Sequence, residues 1–301
     1  MKYMSKPCYE LRLRNSGMFS VVNEVIQYLH LAETKGYKFF IDWRHSCYLD
    51  ASREGDPWEY YFEPCFEEVS ATSDLTLLPV GKSVACSKNN IITPRITDGN
   101  CKPLLMPHNR NVPNQLISKY LRLKSRIVNA INQFEDKNFS QQTIGLHLRG
   151  LGRDHGGADK LRAQSNGSNG IDYERFFAPI DEELMKKPDA KIFVCSDSQA
   201  VIDYVNSFYG QRVINYDSTR SEFGEMHANH PKNKGLSFSP YKLGLDIVME
   251  AYLLARTDYF VHGNSNVANF VVSLPVVHLG NNDFQVVDVI STTFINPLNN
   301  S

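Results

Sequence analysis

A histidine and an arginine stand together where one predicted strand ends. The run TIGLHL at residues 143–148 is typical of a buried strand, and it leads into the glycine-rich stretch RGLGRDHGG. Because side chains alternate along a strand, we expect His147 and Arg149 on the same side of the chain. The paired N–H groups of an arginine suit a diphosphate. Alternatively, Arg149 pairs with an acidic residue at the strand end, and a ligand role and a structural role of His147 are equally open.

Two further predicted strands end in residues that suit an anion. Ligands of parallel α/β sheets bind beyond the carboxyl ends of the strands. After KIFVCS, Asp197 or Ser198 either caps the following helix or leaves its amide groups to a ligand. After YFVH, three polar residues precede a helix and predict a phosphate site at its N terminus. They are Asn264, Ser265 and Asn266.

A polar segment at 215–241 and one acidic residue in a predicted helix complete the set of candidate ligand-binding residues. The segment carries Arg220 and His227, and also His230, Lys232 and Lys234. It either closes over a phosphate or forms a solvated loop. Asp246 lies in the otherwise apolar run GLDIVMEAYLLA, where a buried acid needs a partner. That partner is either a ligand hydroxyl or an arginine such as Arg149.

Charge and missing motifs exclude several functions. The net charge of −1 gives no general attraction for nucleic acid, so an anionic ligand needs a local cluster of donors. The sequence lacks G-x-G-x-x-G, G-x-x-x-x-G-K-[ST], G-x-S-x-G, H-E-x-x-H and C-x-x-C. It also lacks D-x-D, the carboxylate pair that holds Mg²⁺ or Mn²⁺ against a diphosphate. We therefore expect no metal site and no cofactor.

The elements that position these residues alternate between strand and helix. From residue 143 onwards this alternation predicts an α/β fold with a parallel sheet and helices on both faces. Strands are expected at 143–148, 191–196, 212–216, 259–262 and 276–279, and helices at 173–185, 199–209, 243–255 and 267–274.

The first half is less regular. A helix at 19–35 and a strand at 38–43 form one βα unit, and irregular structure with a short strand at 75–80 follows. One long amphipathic helix from Pro113 to about Phe134 separates the halves, and we place the domains at 1–111 and 112–301. Neither a signal peptide nor a membrane-spanning run is recognisable, so we expect a soluble, cytoplasmic protein of unknown oligomeric state.

The order of these motifs resembles a known enzyme family. IGLHLRG, FVCSDS and GLDIVMEAYLLARTDYFVHGNSNVANFV are similar to motifs of the H-x-R fucosyltransferases of the bacterial nodulation type, which use GDP-fucose. These enzymes also resemble α1,6- and protein O-fucosyltransferases. The similarity covers most of residues 143–280. Near the start, NSGMFSVVNEVIQYLHLAETKGYKFFIDW resembles their opening G-x-x-S/N helix and the following strand.

This resemblance implies a GT-B-like fold, a pair of Rossmann-type domains with the nucleotide sugar held in the C-terminal one. It implies transfer with inversion and without metal. Arg149 matches the arginine that contacts the donor diphosphate, and His147 the histidine two places before it. Asp246, Ser265 and, less closely, Asp197 match the helix acid, the serine after the last strand and the acid after FVCS. The chain departs from the pattern at residue 150, a glycine in place of a second arginine, and at 151–154, where Leu-Gly-Arg-Asp replaces the threonine-aspartate that often follows.

The chemistry needs positive donors where negative charge builds on the leaving phosphate. We assign that role to Arg149, and Asp154, His155 and Asp159 are candidate bases for the acceptor hydroxyl. The expected function is transfer of a sugar, fucose from GDP-fucose in first place, to a glycan or glycoprotein. The alternatives are another donor such as UDP-xylose, and a module that binds a nucleotide or glycan without turnover.

Overall fold

The computed structural model of the 301-residue chain describes residues 8–67, 69, 76–77, 111–148, 174–221, 238–263, 265–274 and 285–288. These residues form two parallel β-sheets, one of three strands and one of five, with helices packed against them. The expected α/β class is therefore confirmed in both halves of the chain. No helix within these ranges has the length and apolar character needed to cross a bilayer.

The first sheet is built around a central strand. Its strands are β1 (Cys8–Arg12), β2 (Lys38–Asp42) and β3 (Thr76–Leu77), in the order β2-β1-β3. Helix α1 (Met18–Lys35) connects β1 to β2, as its apolar spacing predicts. Gly36 ends α1 at φ 73°, a left-handed conformation that glycine adopts without a steric penalty.

The helix expected between the two halves is in fact two helices. α2 (Asn111–Tyr120) and α3 (Ser125–Asn138) are separated by residues 121–124. The backbone of this connection bonds to residues 61–63 of the first half. Glu63 N donates to Arg122 O at 2.7 Å, and Lys124 N donates to Tyr61 O at 2.9 Å. A single helix is thus the wrong prediction, because long-range backbone bonds replace the helical ones at its centre.

The second sheet has the strand order β6-β5-β4-β7-β8, and each neighbouring pair is parallel. Its strands are β4 (Thr143–His147), β5 (Lys191–Cys195), β6 (Val213–Ile214), β7 (Tyr259–His262) and β8 (Gln285–Asp288). Its helices are α4 (Glu174–Lys186), α5 (Gln199–Tyr209), α6 (Pro240–Leu254) and α7 (Asn266–Val271). The edge strand β8 was not expected, and the strand expected at 276–279 lies outside the described residues.

Close packing in the second sheet depends on a glycine in β4. A Cβ atom at Gly145 would lie 2.6 Å from Thr257 Oγ1 and 3.3 Å from Leu254 Cδ2. The segment that follows α6 can therefore approach the sheet only because this position has no side chain. This approach brings α6 over the strand that ends at His147.

Among the described residues, the two halves share the larger of two hydrophobic clusters, whereas the smaller cluster lies wholly within the second half. Phe19 of α1 stacks on Phe270 of α7 with ring centroids 4.4 Å apart, and both residues are buried. Asn23 Nδ2 donates to Asn266 O at 3.0 Å across the same boundary. Helix α2 packs on α1, whereas α3 packs on α6, so the connection between the halves lies near residues 121–124. The domain boundary at 111/112 stays a prediction.

Candidate functional site

A cavity of about 200 Å³ lies between the start of α1 and the carboxyl edge of the second sheet. Residues 16–20 and Tyr48 line it from the first half. The second half contributes residues that follow β4, β5, β6 and β7, together with one face of α6. These are His147, Cys195, Ser196, Asp197, Ser218, Thr219, Leu243, Asp246, Ile247, Glu250, Ser265, Asn266 and Val267. The strand ends converge where the sequence predicts a ligand site.

The structure brings His147 and Ser265 together. Ser265 Oγ lies 3.4 Å from His147 Nδ1 and accepts a hydrogen bond from Ala268 N at 3.0 Å. Ser265 is therefore the N-cap of α7. Asn266, the first residue of this helix, also lines the cavity. A contact between Ser265 and phosphate stays a prediction.

Asp246 reaches the cavity from α6. Its side chain is 4% exposed, and it accepts hydrogen bonds from Lys242 Nζ at 2.8 Å and from Thr219 N at 2.7 Å. Thr219 Oγ1 donates to the same carboxylate at 2.8 Å. The acid thus holds the loop after β6 against α6. Arg149, its other expected partner, lies outside the described residues.

A second acid of α6, Glu250, also lines the cavity and was missed in the sequence. Arg220 Nη2 donates to Glu250 Oε1 at 3.0 Å, and Ser218 Oγ donates to the same oxygen at 2.5 Å. Burial raises the pKa of Glu250 to about 7, although the Arg220 charge acts in the opposite direction. The available signal was spacing, since residues four apart on a helix lie on one face. Asp246 and Glu250 are such a pair.

Arg220, predicted to bind the nucleotide, is held in a buried ion pair with Glu250. Its side chain is 5% exposed and does not belong to the cavity lining. Besides Glu250, its guanidinium donates to the carbonyl groups of Ser196, Tyr216 and Ser218. Arg220 therefore ties the exit of β5 to the loop after β6. A direct ligand contact stays a prediction.

The N terminus of α5, which follows β5, bonds to backbone groups and not to the Ser198 side chain. Ser198 stands at the N-cap of α5, but its hydroxyl makes no capping hydrogen bond. Instead, Gln199 N donates to Ser221 O at 3.1 Å, and Ser221 N donates to Asp197 O at 3.1 Å. The predicted cap by the Ser198 side chain is therefore wrong. Asp197 itself lines the cavity.

The first half contributes the N terminus of α1 and a tyrosine. No acidic residue stands in the first turn of α1, and its N-cap residue, Gly17, has no side chain to cap the helix. Met18 N donates to the Tyr48 hydroxyl at 2.9 Å, and burial holds the pKa of Tyr48 well above its usual range. The phenol therefore keeps its proton beside the cavity. Sequence reasoning missed Tyr48 because only the fold brings residue 48 to residue 18.

Several predicted residues lie outside the described ranges. They are Arg149, Asp154, His155, Asp159, His227, His230, Lys232, Lys234 and Asn264. In the ranges that are described, no three His, Cys, Asp or Glu side chains are grouped to hold a metal ion. The absence of a metal site in the whole protein stays a prediction.

Comparisons with known proteins give similarity in structure alone. No protein-family model matches the chain, and no curated protein sequence matches it. NodZ α-1,6-fucosyltransferase soaked with GDP-fucose is 18% identical, with a TM-score of 0.53 over 90% of this chain and 93% of that one. Fucosyltransferase NodZ from Bradyrhizobium is 17% identical, with a TM-score of 0.50 over 89% and 92%.

A second protein, POFUT1, is similar to this chain over nearly its whole length. POFUT1 in complex with GDP-fucose is 12% identical, with a TM-score of 0.52 over 95% of this chain and 98% of that one. Such identities carry information on the fold only. The chain therefore has the GT-B-like fold that fucosyltransferase NodZ and POFUT1 share, as the resemblance of its motifs implies.

Proposed function

We propose that this protein is a glycosyltransferase that moves a sugar from a nucleoside diphosphate sugar to a glycan or glycoprotein. The observation that carries the proposal is the cavity where the ends of β4, β5 and β7 face the N terminus of α1. Nucleotides bind at such an edge of parallel α/β sheets. GDP-fucose is our first candidate for the donor, because similar structures were solved with it.

The N terminus of α1 supports a phosphate site. The partial positive charge of a helix N terminus attracts anions, and the first turn of α1 has no acid to compete. Arg149 supplies the second positive group in this proposal. The two parallel N–H donors of its guanidinium group stabilise the negative charge that develops on the leaving phosphate as the bond to the sugar breaks.

Glu250 favours a guanine base. Guanine presents two adjacent N–H donors, on N1 and on the 2-amino group, and a carboxylate accepts both. Uracil offers one N–H between two carbonyl groups, which a carboxylate repels. Glu250 lines the cavity and is fixed by Arg220 and Ser218. We therefore propose a guanosine nucleotide as the donor and Glu250 as its base contact.

We further propose that transfer inverts the sugar and needs no metal. Two carboxylates of the cavity are already bonded to cationic groups, Asp246 to Lys242 and Glu250 to Arg220. A divalent cation would have to displace these partners. Asp154 and His155 remain our candidates for the base that takes the acceptor proton, and His227 and Asn264 for contacts to the nucleotide. A cytoplasmic location also stays a prediction.

Two measurements, made one after the other, test the proposed function. Calorimetric titration of GDP, UDP and ADP decides the nucleotide, and we expect GDP to bind at least tenfold more tightly than the other two. Release of GDP from GDP-fucose is then followed with and without a glycan library. Release that depends on an acceptor supports a transferase. Tight GDP binding without any turnover would indicate a binding module, and tighter UDP binding would overturn the choice of donor.

A further inference from the structure

Three arginines lie at the carboxyl edge of the first sheet, beside the cavity. Arg12 ends β1, Arg14 follows two residues later, and Arg44 follows the end of β2. Their loops lie side by side, since Trp43 Nε1 donates to Arg14 O at 3.0 Å and Cys47 N to Asn15 Oδ1 at 2.9 Å. We call Arg12, Arg14 and Arg44 the arginine rim.

One member of the rim touches the cavity lining directly. Arg14 Nη2 donates to Ser20 Oγ at 2.6 Å, and Ser20 lines the cavity. The two loops of the rim also continue into the lining at Gly17 and Tyr48. A molecule that extends from the cavity toward the first sheet therefore meets Arg14 first, and Arg12 and Arg44 lie at the same edge of the sheet.

Buried carboxylates hold the exposed guanidinium groups. Asp42 accepts from Arg44 Nε at 2.8 Å, from Arg44 Nη2 at 3.0 Å and from Arg12 Nε at 3.3 Å. The Asp42 side chain is 2% exposed, whereas those of Arg44 and Arg12 are 63% and 49% exposed. The cations thus face solvent, and the anion that fixes them lies behind.

Arg14 is also held by a buried carboxylate. Glu24 accepts from Arg14 Nε at 2.9 Å, with 6% of the acid side chain exposed against 46% of the arginine. Glu10, which is 22% exposed, adds a second carboxylate for Arg12 at 2.6 Å. Although these charges sum to zero, an approaching anion meets guanidinium groups before it meets a carboxylate.

Each rim arginine keeps hydrogen-bond donors for a ligand. A guanidinium carries five N–H groups, and the described bonds of all three arginines use only Nε and Nη2. Because the side chains are already fixed, binding an anion costs little conformational entropy. Because Asp42 and Glu24 are buried, these arginines also serve as their counter-charges, and the donors that the described bonds leave over are the ones available to a ligand.

We propose that the arginine rim binds an anionic group of the acceptor, which makes the acceptor an acidic oligosaccharide with a uronate or sulfate near the receiving hydroxyl. This inference rests on the proposed transferase function. Asn15, Ser16 and Ser20 lie near the rim and offer amide and hydroxyl groups to a sugar. Residues 13–17 expose no apolar side chain, which favours a glycan over an acidic peptide.

The test compares one sugar with and without its charge. A hyaluronan tetrasaccharide, its carboxyl methyl ester and a sulfated neutral tetrasaccharide are titrated into the protein saturated with GDP. We expect at least one anionic form to bind at least tenfold more tightly than the ester, because charge-assisted forked hydrogen bonds are lost on esterification. The better of the two anionic forms identifies the group.

Variants assign the effect to the rim. Arg44→Gln is expected to weaken binding of the anionic sugar at least tenfold and to leave the ester unchanged. Arg14→Lys keeps a charge beside Glu24 and is expected to weaken it severalfold through loss of the fork. Arg122→Gln is the matched control, since Arg122 is also half exposed and paired, with Glu67 at 2.7 Å, away from the cavity lining. Melting temperatures report whether each variant is folded.

Three results would overturn the inference: equal binding of the charged sugars and the ester, unchanged binding in Arg44→Gln, or tighter binding of a glutamate-rich peptide than of either anionic sugar. Failure of the proposed transferase function can be distinguished from failure of this inference. If GDP does not bind the wild-type protein, the same sugars are titrated without nucleotide, and the comparison of acid with ester still decides the role of the rim.

Discussion

Protonation of Glu250 should release a bound guanine base, because the proton and the base compete for the same carboxylate. The pKa of Glu250 is about 7 in the protein without nucleotide. The ionised fraction then falls from about nine-tenths at pH 8 to about one-tenth at pH 6. If only the ionised form binds, the Kd for guanosine should rise roughly tenfold over this range.

Replacing the carboxylate tests the same contact without a change of pH. In Glu250→Gln the amide accepts one hydrogen bond where the carboxylate accepts two, and it carries no charge. Hydrogen bonds to charged groups contribute about 1.5–3 kcal/mol, so the Kd should rise by a factor of about ten to a hundred. The remaining affinity should no longer depend on pH in this range.

The variant should still fold, because two effects on stability oppose each other. Buried Arg220 loses its charged partner, which costs about 3–5 kcal/mol for a buried pair when nothing replaces it. The amide oxygen replaces part of that bond. The rise of the Glu250 pKa from 4.5 to about 7 is the net effect of burial and of the opposing Arg220 and Ser218 interactions. It makes the ionised side chain unfavourable by about 3 kcal/mol above pH 7, a net cost that the neutral amide avoids.

Calorimetry with guanosine is the suitable assay, since guanosine has no phosphate that titrates between pH 6 and 8. Glu183→Gln serves as the control, because Glu183 is equally buried and paired with Lys186 and Lys187 but does not line the cavity. A guanosine Kd that is constant from pH 6 to 8, or wild-type affinity in Glu250→Gln, would refute the assignment of Glu250 to the base.

Three further predictions concern the phosphate side of the site. Ser265→Ala should lower the free energy of unfolding by about 0.5–2 kcal/mol through loss of the α7 cap, as denaturant titration measures. If the hydroxyl also touches phosphate, the same variant should bind GDP at least tenfold more weakly in calorimetry. Arg149→Lys should reduce kcat by at least tenfold without a change in Tm, since lysine lacks the fork, and near-normal kcat would contradict the assignment. EDTA should leave turnover unchanged, whereas activity that returns only with Mn²⁺ would show a metal requirement.

The central strands of the second sheet could be predicted from the sequence because they are continuous apolar runs, whereas the edge strand β8 was missed. TIGLHL, KIFVC and YFVH are buried on both faces, and polar residues mark each strand end. The convergence of His147, Asp197, Asp246, Ser265 and Asn266 on one cavity follows from that topology. Local pattern and global fold agree here, so local reasoning was sufficient.

Features that depend on distant contacts could not be predicted. The break between α2 and α3 arises from bonds to Tyr61 and Glu63, more than fifty residues earlier. Tyr48 reaches the cavity through Met18, and Glu250 acquires its role from Arg220 on another loop. Apolar periodicity reports which face of an element is buried, but it contains no information on which distant element covers that face.

The core that joins Phe19 to Phe270 also determines how the molecule unfolds. Separating the halves would expose both buried rings and leave the Asn266 carbonyl without its bond to Asn23. The larger core cluster would then be divided between the halves, whereas a smaller cluster lies within the second half alone. Because the larger cluster is lost on separation, we expect one cooperative melting transition. Replacing one half by another domain would require this contact to be rebuilt, whereas the loops at the sheet edges can be changed without disturbing it.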